Sequence, residues 1–460
     1  MRVSLVLTSS RSTDTNCSSP AALLSLATIL RDHGHEIGVF DRDGYAGGLE
    51  EMARKVVDFK PDLVGVSVMT DPEFLESVRD FLKMMRWAMP EVKLVAGGPH
   101  CTAIPEQVLE WFPELDYSMA GECDYTLPQL VEALDANAAK PEVPGLSYRT
   151  EGGFECLPVG EPPKDIDAIP IADRTLLWDN YKNGVYWRLD RKGMMDTVMT
   201  SRGCPFDCKF CFKVSRGVRM RSAQNVVKEL VYLAELGITN IDFLDDLFTS
   251  KKSRCIEICR LIRDAGLKLD LKVRSRVDCI DDELLSEMRK AGVRTVVYGI
   301  ESGSQTILDA MNKRTTVEKN REAIRRTKKA GLRCYADLFV GFPGETPETI
   351  AQTAQFLLST RPTAVNGGIL VPLPRTWVYD DAKKNGTLRG DWAVGEPSPW
   401  VKLQWIDDPN DLWREFHKMQ RKFYRNPLVL LGLLRGTPSK FDRHLLSRGV
   451  RFLRSMMFGK

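Results

Sequence analysis

The sequence predicts an α/β protein in two parts, joined by a proline-rich connector and followed by a helical extension. Three observations carry this. In residues 1–140, short apolar runs alternate with helical patterns, as in βαβ units on an open parallel sheet. Residues 196–385 hold six further strand-then-helix units, which suggests a parallel sheet curled into a partial barrel. Between them, residues 141–195 are punctuated by Pro141, Pro144, Pro162, Pro163 and Pro170.

The bulk properties agree. A length of 460 residues suggests roughly three domains of about 150 residues each. With 43% hydrophobic and 28% charged residues, the chain can bury a sizeable core. A net charge of +3 gives no reason to expect nucleic-acid binding. Met1-Arg-Val-Ser-Leu-Val-Leu reads as a strand rather than a signal peptide. No stretch reaches the roughly 18 apolar residues of a membrane span. A reducing cytoplasm is therefore expected, where the 11 cysteines point to metal or catalysis rather than disulfides.

In the first part, strands are expected at Arg2–Thr8, Glu36–Asp41, Leu63–Val68, Val92–Ala96 and Tyr117–Gly121. Helices are expected at Ala21–His33, Leu49–Phe59, Glu73–Met89 and Thr126–Leu134. In a doubly wound sheet, ligands sit beyond the carboxyl ends of strands, near the switch in strand order. Ser67 ends one strand, and Gly97 and Gly98 end the next, so a large flat ligand could approach the backbone closely. Tight turns in a Rossmann-like domain explain the same residues equally well. His33 and His35 read as solvent-facing turn residues. In the connector a small strand pair is expected at Leu146–Arg149 and Gly153–Leu157, with Trp178, Tyr181, Tyr186 and Trp187 as packing residues.

The barrel strands lie near Thr197–Thr200, Asn240–Leu244, Leu269–Ser275, Thr295–Ile300, Arg333–Val340 and Ala364–Val371. Catalytic residues of such barrels cluster beyond the C-terminal strand ends. The first strand runs into Cys204, Cys208 and Cys211, spaced CxxxCxxC. A cubane iron–sulfur cluster usually takes four thiolates, and no other Cys or His lies between Met194 and Arg254. Either a distant ligand completes the site or one iron stays open. Zinc is disfavoured because no fourth ligand is at hand. The other ends carry Asp245-Asp246, Arg274 with Arg276, Glu301-Ser302-Gly303, Gly341 to Glu345, and Pro372-Leu-Pro374-Arg375. Six such ends on one rim point to catalysis. Cys255, Cys259, Cys279 and Cys334 read as core thiols, and Met194, Met195 and Met199 as packing.

The cysteine motif, with Phe210 before its last member and a strand before its first, resembles that of the radical S-adenosylmethionine (SAM) enzymes. Gly34-His35-Glu36, Lys60 to Ser67, Val95 to His100 and Ala120 to Asp124 resemble the cobalamin-binding domain that precedes many of them. The branch resembled includes carbon methylases and the anaerobic magnesium-protoporphyrin cyclase type. The resemblance implies a Rossmann-like cobalamin-binding domain followed by a partial (β/α)6 TIM-type radical SAM barrel. It implies a [4Fe–4S] cluster on Cys204, Cys208 and Cys211, with SAM on the open iron. Asp245 would then meet the SAM amino group, Arg276, Glu301 and Ser302 its carboxylate and ribose, and Gly341 its adenine. Ser67, Gly97 and Gly98 would meet cobalamin. An external electron donor of the flavodoxin or ferredoxin type and a small-molecule or lipid-like substrate follow. The implied activity is methyl transfer to an unactivated carbon through methylcobalamin and a 5′-deoxyadenosyl radical. Oxidative ring formation with the same cofactors is the alternative, and a non-enzymatic iron–sulfur electron-transfer or sensor module a further one. The sequence departs from the family in three places. The Asp-x-His-x-x-Gly cobalamin motif is absent, the Gly-Gly-Glu usual near Asp245 is replaced, and Arg375 stands where glycine is usual.

In residues 386–460 a helix with acidic first-turn residues is expected from Asp407 to about Tyr424. From Arg414 to Lys460 there are 12 Lys and Arg against two acids. Such a basic, apolar tail suits either an anionic membrane surface or packing across the open barrel. His417 and His444 read as surface residues.

Overall fold

The structure, a computed structural model, describes residues 1–429 except 11–15, 71, 139, 190, 216 and 393–397. Its first sheet has seven strands: β1 (Arg2–Leu7), β2 (Glu36–Asp41), β3 (Leu63–Ser67), β4 (Lys93–Gly97), β5 (Tyr117–Met119), β6 (Leu146–Thr150) and β7 (Gly153–Cys156). Their order is β2-β1-β3-β4-β5-β6-β7. The first five pair in parallel and the last two join antiparallel. The order reverses between β1 and β3, so the crevice for a ligand opens above them.

Period-two alternation divides the core. In β1, Val3, Leu5 and Leu7 face one apolar cluster, while Val6 faces another with Val64, Val66 and Phe81. The first cluster continues through Tyr181 and Tyr186 of the connector into Leu230, Ile241 and Val296 of the barrel. The strand pair expected at 146–149 and 153–157 exists, but it is no free linker element. It extends the sheet, covering the edge of β5 through Tyr117↔Tyr148 and Met119↔Leu146. Two short helices not expected, Pro99–Ala103 and Pro105–Trp111, each start with proline at the first helical position.

The second sheet is the expected partial barrel. Its strands are β8 (Met195–Val198), β9 (Asn240–Phe243), β10 (Asp270–Ser275), β11 (Val293–Glu301), β12 (Arg333–Val340) and β13 (Ala364–Ile369). They pair in parallel in sequence order. Along β12, Cys334, Ala336, Leu338 and Val340 are buried beneath the helices, and the alternate residues face the concave side. The barrel stays open between β8 and β13.

The Pro409–Tyr424 helix starts on Asp408, whose carboxylate accepts from the Asn410 N–H at 2.9 Å. Leu412, Phe416, Met419 and Phe423 are buried. The Tyr424 hydroxyl accepts from Val365 N–H at 3.0 Å and donates to Val365 C=O at 3.2 Å. The helix is thereby fastened to the last barrel strand. His417 is exposed and stacks on Trp413. Of the basic tail, residues 430–460, His444 among them, lie outside the described residues. Among the described residues, no helix is long and apolar enough to cross a membrane.

Candidate active site

The three cysteines sit on a loop with a stiff stalk. Ser201–Arg202 pairs antiparallel with Arg219–Met220, and the cysteine loop hangs from that ribbon. Gly203 begins the loop at φ +85°, where a Cβ would fall 2.0 Å from the Gly217 carbonyl oxygen. Only glycine tolerates both conditions. The outer side is anchored by Lys209 N–H to Met311 C=O at 3.0 Å and by Val378 N–H to Lys209 C=O at 3.1 Å. The Phe210 ring packs edge-on against Phe339, centroids 4.8 Å apart. Cys204 and Cys208 are half-buried and Cys211 is exposed.

Two cations back this loop. Arg276 Nη1 lies 3.9 Å from Cys208 Sγ, and its guanidinium is 3.7 Å above the Phe206 ring. Asp278 holds it at 3.0 and 2.9 Å. Arg276 Nη2 also donates to Lys313 C=O at 2.7 Å. Lys313 Nζ reaches Glu301 Oε1 at 2.6 Å, both largely buried. Burial would lower the lysine, but Glu301 and Cys208 outweigh it and hold the ammonium above its ordinary range. Burial pushes the Cys208 thiol up, opposed by the charges of Lys313 and Arg276. Glu301 itself stands at φ +61°, where β11 slips register against β12. A Cβ on Gly299 would lie 2.4 Å from Glu301 Oε1, so glycine makes room for the ion pair.

At the end of β12, Gly341 stands at φ +102°. Its N–H donates to Glu345 Oε2 at 2.5 Å. Burial raises the Glu345 carboxyl to about 7, against the backbone N–H groups of Gly341 and Phe342.

A cavity of about 530 Å³ lies between the two sheets. Ser67, Met69, Gly97 and Gly98 line it from the first, and Met199, Gly203, Phe212, Leu244 and Asp246 from the second. Gly98 stands at φ +111°, and a Cβ there would meet the Val68 carbonyl oxygen at 2.8 Å.

Comparisons with known proteins match this arrangement. A family model of the Radical SAM superfamily covers residues 198–357, and one of the B12 binding domain covers residues 11–131. An uncharacterized methyltransferase of Pyrococcus horikoshii is 32% identical over 456 residues, covering 94% of this chain and 93% of that protein. This chain belongs to the cobalamin-binding radical SAM enzymes. The anaerobic magnesium-protoporphyrin IX monomethyl ester cyclase of Cereibacter sphaeroides is 31% identical over 397 residues, 82% of this chain and 63% of that one. Among solved structures, the radical SAM methyltransferase TsrM of Kitasatospora setae, with cobalamin and a [4Fe–4S] cluster bound, superposes with a TM-score of 0.79. It covers 99% of this chain and 98% of that chain at 20% identity, a likeness of fold.

The radical SAM enzyme uses a [4Fe–4S] cluster, SAM and cobalamin, and the described residues fit these groups. Three thiols share one loop, and two buried cations stand beside the middle one, Cys208, which suits an anionic cluster. Paired glycines without side chains in the cavity suit a large planar cofactor.

Several expected residues need correction. Asp245 is fully buried and faces away from the cavity. Its carboxylate accepts from Thr200 N–H at 2.8 Å, Thr200 Oγ1 at 3.0 Å, and Ser201 N–H and Oγ. It fastens the start of the cysteine loop and has no exposed surface for SAM. Its neighbour Asp246 lines the cavity instead, accepting from Gly203 N–H at 3.1 Å. Ser302 is likewise spent inside, with its hydroxyl 3.2 Å from Thr353 Oγ1 and accepting from Ser304 N–H at 3.1 Å. Cys279 is half-buried beside Asp278 rather than in the core. Met199 is 41% exposed on the cavity wall. Cys255, Cys259 and Cys334 are buried. Lys313 was missed, because its ion pair with Glu301 joins residues of no shared local pattern.

Proposed function

We propose that this enzyme methylates an unactivated carbon of a small-molecule substrate. The observation that supports it most is the shared cavity, which touches Ser67, Gly97 and Gly98 on one side and the cysteine loop on the other. When bound, the cluster with SAM supplies a hydrogen-abstracting radical, and cobalamin supplies the methyl group. In this reading Cys204, Cys208 and Cys211 hold the cluster, and Ser67, Gly97 and Gly98 seat the cobalamin. Arg276 and the Glu301–Lys313 pair present the cation and carboxylate that a zwitterionic amino acid with a ribose diol requires. Gly341 leaves room for a base beside the end of β12. Met69, Met199, Phe212 and Leu244 give the cavity apolar walls that exclude water from a reactive intermediate. Electrons come from an external one-electron donor of the flavodoxin or ferredoxin type.

Ring formation with the same cofactors is the second reading, favoured by the 31% identity to the cyclase. Anaerobically reconstituted enzyme, a reductant, cell extract and SAM with a deuterated methyl group separate the two. A metabolite that gains the labelled methyl, with release of 5′-deoxyadenosine, is expected. An unlabelled product that has lost hydrogens favours the cyclase. A cluster spectrum indifferent to SAM overturns both.

A further inference from the structure

We propose that Glu122 couples the two cofactor sites, so that occupancy of one tightens the other. This rests on the placement of cobalamin and cluster proposed above. Glu122 belongs to the turn between β5 and the Thr126–Asp135 helix, and that turn lines the cavity. Its carboxylate crosses to the other domain and takes both stalks of the cysteine loop. Arg202, two residues before Cys204, donates to Glu122 Oε2 at 2.6 Å, and Arg219 on the opposite stalk donates to the same oxygen at 2.9 Å. Ser215, within the loop, donates to Glu122 Oε1 at 2.7 Å. Arg202 is also held two-pronged by Asp124 at 2.6 and 3.0 Å.

The cluster is balanced, with two guanidiniums against two carboxylates, and it is largely buried, the Glu122 side chain being 9% exposed. Burial alone would raise the Glu122 carboxyl, but Arg219, Ser215 and Arg202 bring it down to about 2. It is therefore ionised at any working pH. Neutralising one member strands the others in a desolvated site, so the turn and the loop have little freedom to move separately.

This geometry has a thermodynamic consequence. A ligand that orders the 121–124 turn orders the stalks of the cysteine loop, and a cluster on the loop orders the turn. Coupling between two binding sites is reciprocal, typically about 5- to 150-fold in affinity. Glu122 acts through Arg202 and Arg219 and is a positioning residue.

The test titrates hydroxocobalamin into the full chain, anaerobically, with the cluster reconstituted and with its iron removed by chelation. The wild type should bind at least about fivefold more tightly with the cluster present. Glu122→Gln should bring that ratio to about 1. A merely structural role would weaken both titrations alike and leave the ratio unchanged, which overturns the proposal. Equal affinity of the wild type in both states also overturns it while leaving the cofactor placement intact. Failure of the wild type to bind hydroxocobalamin in either state overturns both. If Glu122→Gln does not fold, Arg219→Gln removes one stalk and should reduce the ratio in the same direction.

Discussion

Arg174→Met tests how the connector holds the barrel to the rest of the chain. Arg174 is 1% exposed. Its Nε donates to Asp196 Oδ2 at 2.6 Å and its Nη2 pairs with Glu229 Oε1 at 2.6 Å. It also donates to the carbonyls of Ala172 at 2.7 Å and Thr197 at 3.2 Å. Asp196 additionally accepts from Ser19 of the first domain, and Glu229 keeps Arg221. Removing the cation leaves Asp196 buried without a countercharge, and removing one partner of a buried pair costs about 3–5 kcal/mol. The two carbonyls lose donors at about 1–3 kcal/mol each, partly recovered by methionine's packing. A total near 5 kcal/mol stands against about 5–15 kcal/mol for a whole domain. In urea unfolding followed by tryptophan fluorescence, the midpoint should fall sharply at an unchanged slope. Adding Asp196→Asn removes the stranded charge and should recover about 1–2 kcal/mol. A loss below about 1 kcal/mol for Arg174→Met would refute the view of this triad as the interdomain fastening.

Gly203→Ala should lower iron incorporation severalfold while the circular dichroism of the fold persists, because its Cβ cannot coexist with the Gly217 carbonyl; full iron content would contradict this. Gly98→Val should weaken hydroxocobalamin binding tenfold or more in titrations of the reconstituted protein, through both the positive φ and the clash with Val68. Glu345→Gln should change the pH profile of stability. The folded carboxyl is raised from 4.5 to about 7, so its contribution is full below the lower value and is lost as pH rises through the higher. The loss is about 3 kcal/mol. The glutamine variant should therefore lack this decline and exceed wild type at pH 8 in thermal unfolding. Parallel profiles would exclude the raised carboxyl.

The fold was legible because its signals are local. Each barrel strand is a short stretch that carries apolar residues, alternating with polar ones in β10 and β12, and each bound lies within a few residues of expectation; β12 coincides with it. The choice between adjacent carboxylates was a matter of phase. The alternation carries on past the end of β9 at Phe243: Leu244 and Asp246 line the cavity, and Asp245 turns to Thr200 and Ser201. A one-residue error of phase exchanges the roles of the two aspartates. Ser302 failed differently: its neighbour Glu301 sits in a bulge with positive φ, and nothing local announces that the next hydroxyl turns inward to Thr353. The β6–β7 pair was visible, but its docking on β5 is a long-range event that proline punctuation masks.

The missed lysine explains a further feature of the site. An isolated buried ammonium would be costly beside apolar rings, and an unpaired Arg276 would be so too. Each cation here carries its own carboxylate, Glu301 for Lys313 and Asp278 for Arg276. The two pairs are charge-balanced before any ligand is present. Yet both cations stay within reach of Cys208. Thiolate charge then meets fixed, already desolvated cations, and the protein need not reorganise to receive it. Substituting Lys313 by methionine would strand Glu301, so its cost in stability and its effect on iron uptake should appear together. Removing both partners, Lys313→Met with Glu301→Gln, should restore stability toward wild type without restoring iron uptake.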